Sequence, residues 1–239
     1  MQRYFASVIN NKVTLDGGDV HHLLNVMRMK KGDKIEVIYN KKLYICEIFN
    51  ANPLDIEVIE ECPLDSELGH NVTLFFALAK GDKIDFVIQK ATELGVSKIV
   101  LMKSSRCVVK MDNADFERKL SRYQKIAKEA SEQSHRLVVP EIVGVVDINK
   151  IPTDLLCDIN YVAYEKDAGS TEQSFYELNT LEEGKSVSIF IGSEGGFSKE
   201  EIEKLNSLGV KNVSLGKRIL RCETAAVYAL SVIGYLLEK

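Results

Sequence analysis

Two glycine-bearing loops and the glutamate inside one of them carry the chemistry this sequence can offer. The first, Gly192-Ser193-Glu194-Gly195-Gly196-Phe197, follows the apolar run 186–191. The second, Gly216-Lys217-Arg218-Ile219-Leu220-Arg221, follows the run 210–215. Each run reads as a buried strand that empties into a loop ahead of a helix. Ligands of open α/β sheets sit where the carboxyl ends of strands meet such loops, and glycine lets the backbone approach a ligand closely. The pair therefore reads as a small-molecule site, with two ordinary turns of a doubly wound domain as the alternative. A third strand-end loop of the same kind, 165–169, follows the apolar stretch 160–164. Neither G-x-G-x-x-G nor G-x-x-x-x-G-K-[ST] is present, so a phosphate-cradling nucleotide site lacks its lysine and hydroxyl. Glu194 has three open roles: holding a ligand hydroxyl, pinning the loop through backbone N–H groups, or facing solvent. Pinning is preferred.

The elements that position these loops follow from periodicity. Ser198 and Glu201 form a capping box, so a helix starts near Lys199, and Gly209 ends it. Ala226, Ala229, Leu230, Ile233 and Leu237 give a final helix with a buried face. Upstream, 72–79 predicts a buried strand, and Asp82 a helix cap. Ile84, Val87, Ile88, Ala91 and Leu94 share a helical face that Gly95 closes, and 98–102 predicts the next strand. A long helix is expected over 114–134, then an edge or irregular strand over 137–146 and a helix over 170–179. Residues 1–68 have another grammar: short period-two runs over 34–39, 43–49 and 55–60, a hairpin about Asn10-Asn11, turns at Lys41-Lys42 and Asn52-Pro53, and a short helix over 17–29. That is a β-barrel in outline, joined by a linker over 60–71 to an alternating β/α region. The expected domains are thus 1–70 and 71–239.

Composition sets bounds. At 239 residues the chain is long enough for one large or two modest cores. No apolar run approaches the roughly 18 residues of a membrane span, and no signal peptide is evident at the start. Five scattered cysteines without C-x-x-C suit a reducing compartment and argue against zinc, so a cytoplasmic location is expected. Net charge is −4, yet 21–42 carries a net +4 and 98–128 a net +6. Such clusters can neutralise phosphates locally, or can be ordinary solvated faces.

Four segments in order carry a resemblance: KGDKIDFVIQKATELGV from Lys80, KIAKEASEQSHRLVVP from Lys125, IGSEGGFSKEEIE from Ile191, and LGKRILRCETAAVYAL from Leu215. Together they resemble the bacterial small-subunit ribosomal RNA uridine-N3 methyltransferases, of the trefoil-knotted SPOUT superfamily. The likeness spans essentially the whole chain. It departs at Ser193, where the family usually has proline, which puts the rigidity of that turn in doubt.

The resemblance implies an α/β fold: a C-terminal knotted SPOUT-type methyltransferase domain behind a small N-terminal PUA-like β-barrel that contacts RNA. It implies S-adenosylmethionine as cofactor, held by Tyr164, Glu165, Ile191, Gly192, Ser193, Gly195, Gly196, Leu215, Gly216, Ile219 and Leu220. Uridine N3 must lose its imide proton to attack, and an arginine beside the uracil oxygens would stabilise the resulting charge. Arg136 and Arg221, both in matched segments, are the candidates, against a phosphate contact and a helix-end salt bridge respectively. Glu194 joins them as a catalytic candidate, and the general base is open among Glu194, Glu129 and water. Arg28, Lys30, Lys80, Lys83 and Arg106 are expected to meet RNA. The implied partners are ribosomal RNA in an assembled small subunit and a second copy of the chain, with Ala225, Ala226 and Ala229 on the final helix as a partner surface and no membrane. Methylation of tRNA or another ribosomal position, and a non-catalytic RNA-binding relative, are the alternatives.

Overall fold

The computed structural model describes residues 1–164 and 174–238, which form two compact units. The first is Met1–Glu67 with Ser131–Val138; the second is Leu68–Ala130 with Val139–Lys239.

The first unit is one six-stranded sheet. Its strands are β1 (Arg3–Phe5), β2 (Ser7–Ile9), β3 (Lys12–Thr14), β4 (Lys34–Tyr39), β5 (Lys42–Ala51) and β6 (Leu54–Cys62), in the order β1-β4-β5-β6-β3-β2. The outermost strands, β1 and β2, are separated in the chain by Ala6 alone, so the sheet must curl until its two edges meet. Alternation decides the inside: Ile35, Val37, Cys46, Ile48 and Ile56 are all buried around Tyr4 and Leu23. The β2–β3 hairpin turns at Asn10-Asn11 with φ of 48° and 66°, the left-handed pair its two-residue loop demands. The β4–β5 hairpin turns at Asn40-Lys41, one residue earlier than expected, because asparagine tolerates positive φ and Lys42 is taken into the ladder. Asp16 caps the short helix α1 (Gly17–His21). The expected helix over 17–29 then widens into a turn closed by Met27 N–H on the His22 carbonyl, five residues back.

Segment 131–138 returns to this unit through Glu67. That carboxylate accepts from Arg136 Nη2 at 2.6 Å, from Leu137 N–H at 2.7 Å and from Val138 N–H at 3.2 Å. Leu137 also packs with Ile38 and Leu43. No local period in the sequence announces this return.

The second unit is a six-stranded parallel sheet. It comprises β7 (Asn71–Ala77), β8 (Lys98–Lys103), β9 (Glu141–Asp147), β10 (Ile159–Ala163), β11 (Ser186–Ile191) and β12 (Lys211–Val213), in the order β12-β10-β11-β7-β8-β9. Parallel strands are covered on both faces, which is why β7 and β11 read as near-continuous apolar runs. One face packs α2 (Lys83–Glu93), the body of α3 (Asn113–Gln133) and the final helix, through Ile84, Val87, Phe116, Tyr123, Ala226 and Leu230. The other packs α4 (Lys199–Ser207), through Ile202 and Leu205, and the short 3-10 turns Ile148–Lys150 and Thr153–Leu155. The final helix, α5, runs over Cys222–Leu237.

The capping box at Ser198 and Glu201 starts α4 where the sequence predicts it, and Gly95 ends the α2 segment at φ 86°. Asp82, expected to cap α2, makes no capping bond with its side chain. Of the helix expected over 170–179, residues 170–173 lie outside the described residues, and Tyr176–Thr180 is a 3-10 turn. Among the described residues no helix is long and apolar enough to cross a membrane.

At the centre of the sheet Phe75 of β7 and Phe190 of β11 stack at 4.0 Å between ring centroids, both fully buried. Phe190→Ala is expected to cost about 3–5 kcal/mol of stability, read as a lower midpoint in urea at an unchanged slope. A loss near zero would mean the strand pair does not carry the core.

Candidate functional site

Three neighbouring strands, β12, β10 and β11, end side by side, and their tips enclose a cavity of about 450 Å³. That size suits a nucleoside-class ligand. Its walls include Tyr164 at the tip of β10, then Ile191, Gly192, Ser193, Glu194, Gly195 and Gly196 after β11. Leu215, Gly216, Ile219, Leu220 and Arg221 close it from the β12 side. Eleven of the residues expected to hold or act on a small molecule are thereby brought to one cavity with Arg221. Glu165, the remaining expected contact, lies outside the described residues.

The glycine loop doubles back on itself. Gly196 N–H donates to the Ser193 carbonyl at 2.9 Å, and Gly196 sits at φ 65°. A Cβ on Gly192 would stand 3.1 Å from the Gly196 backbone, so a side chain there makes the turn give by a few tenths of an ångström. Phe197, next in line, is fully buried in the core on the α4 side. Ser193 Oγ is buried and has no hydrogen-bond partner among the described residues.

Glu194 has its carboxylate on the protein. Oε1 accepts from Lys80 N–H at 3.1 Å and from the Lys83 ammonium at 2.9 Å. Burial pushes this carboxyl up, but the bonds from Lys83 and from backbone N–H groups outweigh it, and the net position is below the usual glutamate range. A carboxylate so held fastens a loop better than it accepts protons. The Lys83 ammonium also lies 3.3 Å from Glu223 Oε2, so a lysine expected to meet RNA phosphate is engaged with two carboxylates beside the cavity instead.

Arg106, likewise expected on RNA, braces the glycine loop from outside: its Nη1 donates to the Gly195 carbonyl at 2.9 Å. Glu201 completes the brace. It accepts from Ser198 N–H at 2.8 Å within the capping box, and its other oxygen takes Ser105 N–H at 2.6 Å. Arg28, Lys30 and Lys80 are exposed, Arg28 at φ 54°. Glu129 is a surface residue of α3, 3.7 Å from Lys125.

The two candidate arginines part company. Arg221 is exposed at the N-terminus of α5 and lines the cavity. Arg136 belongs to the first unit, is 3% exposed and is ion-paired to Glu67. The cavity also includes Ala163, Phe197, Arg218 and Cys222, which sequence reasoning did not place there, together with Lys83, expected on RNA, and Ala225, expected at a partner surface. The thiol of Cys222, pushed up to about 12 first by burial and then by Glu223, stays protonated at neutral pH.

A parallel sheet with a ligand cavity at adjoining strand tips, on a chain that also folds a small curled sheet, defines a cofactor-binding α/β protein with an accessory β unit. Comparison with known proteins narrows this. The family model for an RNA methyltransferase domain matches residues 66–234, and that for an RNA methyltransferase PUA domain matches 15–61. The chain belongs to this RNA methyltransferase family. It is 36% identical to ribosomal RNA small subunit methyltransferase E of Bacillus subtilis, over 100% of this chain and 98% of that one. A crystal structure of a hypothetical protein matches with a TM-score of 0.89 at 35% identity, covering 99% of each chain. The ribosomal RNA small subunit methyltransferase E of Neisseria gonorrhoeae, solved bound to S-adenosyl methionine, matches with a TM-score of 0.84 at 28% identity, over 99% of this chain and 98% of that one.

Two substitutions separate the brace from the cavity. A Cβ on Gly195, which lines the cavity, would lie 2.9 Å from Arg106 Cβ and 3.3 Å from its carbonyl, so it crowds the brace. Gly195→Val should therefore weaken ligand binding by displacing residues 104–107, and a second change, Arg106→Gly, should recover part of it in calorimetric titration. Arg136→Ala should lower stability by about 2–3 kcal/mol, because it takes the paired cation away from the part-buried Glu67 carboxylate and leaves it two backbone N–H groups, while leaving ligand affinity at the cavity unchanged. Thermal unfolding and calorimetry read the two effects separately.

Proposed function

We propose that this protein transfers a methyl group from S-adenosylmethionine to N3 of a uridine in small-subunit ribosomal RNA. Membership of an RNA methyltransferase family over most of the chain carries the reading, together with full-length relatives named for small-subunit ribosomal RNA.

The residues present suit the cofactor. Ile191, Leu215 and Leu220 supply apolar walls for an adenine, and the glycine loop offers backbone N–H and C=O groups for its edges. The buried hydroxyl of Ser193 gains a partner if the ligand reaches it. When bound, S-adenosylmethionine supplies a methyl carbon already activated by its sulfonium.

What remains for the protein is alignment and charge. Uridine N3 becomes a nucleophile when its imide proton leaves, and the resulting charge spreads over the two flanking carbonyl oxygens. Arg221 is the guanidinium we assign to those oxygens, since it stands at the cavity and has no ion-pair partner among the described residues. Arg136 serves in this reading as the anchor of segment 131–138. Glu194, already bonded to Lys80 and Lys83, is the loop fastener rather than the base, and the proton leaves to solvent.

The basic segments 21–42 and 98–128 and the curled sheet suit recognition of RNA by shape, with an assembled small subunit as the substrate form. A second copy of the chain would seat on α5. Ala226 and Ala229 are buried within the subunit, so the surface on offer is Tyr228 and Tyr235, the latter 74% exposed.

The test is transfer of labelled methyl to small subunits, free ribosomal RNA and tRNA, followed by nucleoside identification. N3-methyluridine from the small subunit is the expected product, and its absence from every substrate refutes the reading. Arg221→Ala should keep donor affinity and lose roughly 10²–10³ in turnover. Unaltered turnover removes it from the reacting centre.

A further inference from the structure

One ammonium ties three separate stretches of chain beside the cavity. Lys83 is the first residue of α2. Its Nζ lies 2.9 Å from Glu194 Oε1 in the glycine loop, 3.3 Å from Glu223 Oε2 in the first turn of α5, and 3.9 Å from Cys222 Sγ. The glycine loop forms one wall of the cavity, and the stretch leading into α5 forms the other. We propose that Lys83 is a positioning residue whose charge locks these two walls together, and so sets the affinity of the cavity for its ligand; the affinity part rests on the methyl-donor reading above.

The argument is electrostatic. Glu194 and Glu223 converge on one cation, so without it two carboxylates face each other across the mouth of the site. The three side chains are 28%, 33% and 19% exposed, which leaves their interaction only partly screened by water and salt. The neighbours do not replace the cation. Lys80 contributes only a backbone N–H to Glu194, and Cys222 brings a neutral thiol to Glu223. Glu223 keeps some help from the start of α5, whose free N–H groups favour negative charge. Glu194 keeps the Lys80 N–H, just ahead of α2, but loses its ammonium partner. All three groups are displaced toward their charged forms. Lys83 is raised first by its bond to Glu194, and both glutamates are lowered against the opposing pull of burial. Methionine at this position keeps the stem and removes only the charge.

The experiment uses the full chain and three variants: Lys83→Met, Lys83→Arg and the double variant Lys83→Met/Glu194→Gln. Hydrogen exchange of the ligand-free protein reads the lock directly. Amides of 193–197 and 215–222 should exchange about tenfold faster in Lys83→Met, while those of the β7 and β11 strands keep wild-type rates. Calorimetric titration with S-adenosylmethionine should show about tenfold weaker binding in Lys83→Met, with partial recovery in both Lys83→Arg and the double variant. Recovery through Glu194→Gln is the signature of a charge lock, since a loss of packing would not be mended by changing a carboxylate to an amide. Unchanged exchange in both loops overturns the proposal, and so does a double variant no better than Lys83→Met. If Lys83→Met does not fold, the same exchange comparison is made on Glu194→Gln, which removes one carboxylate from the ammonium and should speed exchange in 193–197; unchanged exchange there overturns the proposal. A wild-type protein that fails to bind S-adenosylmethionine yet shows the exchange pattern keeps the lock and sinks the methyl-donor reading alone.

Discussion

A side-chain carbon at Gly192 would press on the Gly196 backbone at 3.1 Å, and the rest of the site depends on that close approach. Because the Gly196 backbone can come that close, the chain leaving β11 folds back at once instead of running on into α4. The fold-back aims three groups in three directions: the Glu194 carboxylate toward Lys80 and Lys83, the Gly195 carbonyl toward Arg106, and Phe197 into the core. Each is a tether to a different part of the sheet. A loop of glycines, flexible by composition, is thus held on both sides. Rigidity here comes from tethers, not from the residue types in the loop, which is how serine can occupy position 193 without the turn losing its course.

Much of this arrangement could be read from the residues. Parallel strands buried on both faces leave continuous apolar runs, so β7, β8 and β11 declare themselves, and the Ser198–Glu201 box marks the start of α4 within a residue. The loops that line the cavity were legible for the same reason: glycines directly after buried strands mark either an approach to a ligand or an ordinary β-to-α turn, and the cavity shows the first. What sequence reading missed are partners brought together by the fold across long separations. Lys83 meets Glu194 and Glu223 from 111 and 140 residues away, and Ser105 meets Glu201 from 96. No periodicity encodes such pairs. A lysine in a basic, glycine-bearing motif looks like a phosphate ligand until its carboxylate partners are seen.

Arg136 shows the limit from the other side. It lies in a motif-bearing segment and has the right chemistry for an oxyanion. The segment 131–138, however, folds with the curled sheet, where Glu67 takes up both its guanidinium and the following backbone N–H groups. One carboxylate satisfying three donors is a structural joint, and a chain that crosses from one unit to the other and back needs such a joint where it returns. Arg221, in a segment with an equally strong motif, has no comparable commitment among the described residues. Residue type alone does not distinguish the two; the company each keeps does.

The curled sheet of the first unit has a consequence for handling the protein. Residues 3–9 supply both outermost strands, with Ala6 as the corner, so a single short stretch of chain caps the ladder of β4 on one side and of β3 on the other. Peeling that stretch away would bare two rows of backbone donors and acceptors at once, and bare rows of that kind template strand addition between molecules. The first nine residues thus cover two strand edges that would otherwise be open to pairing with another chain.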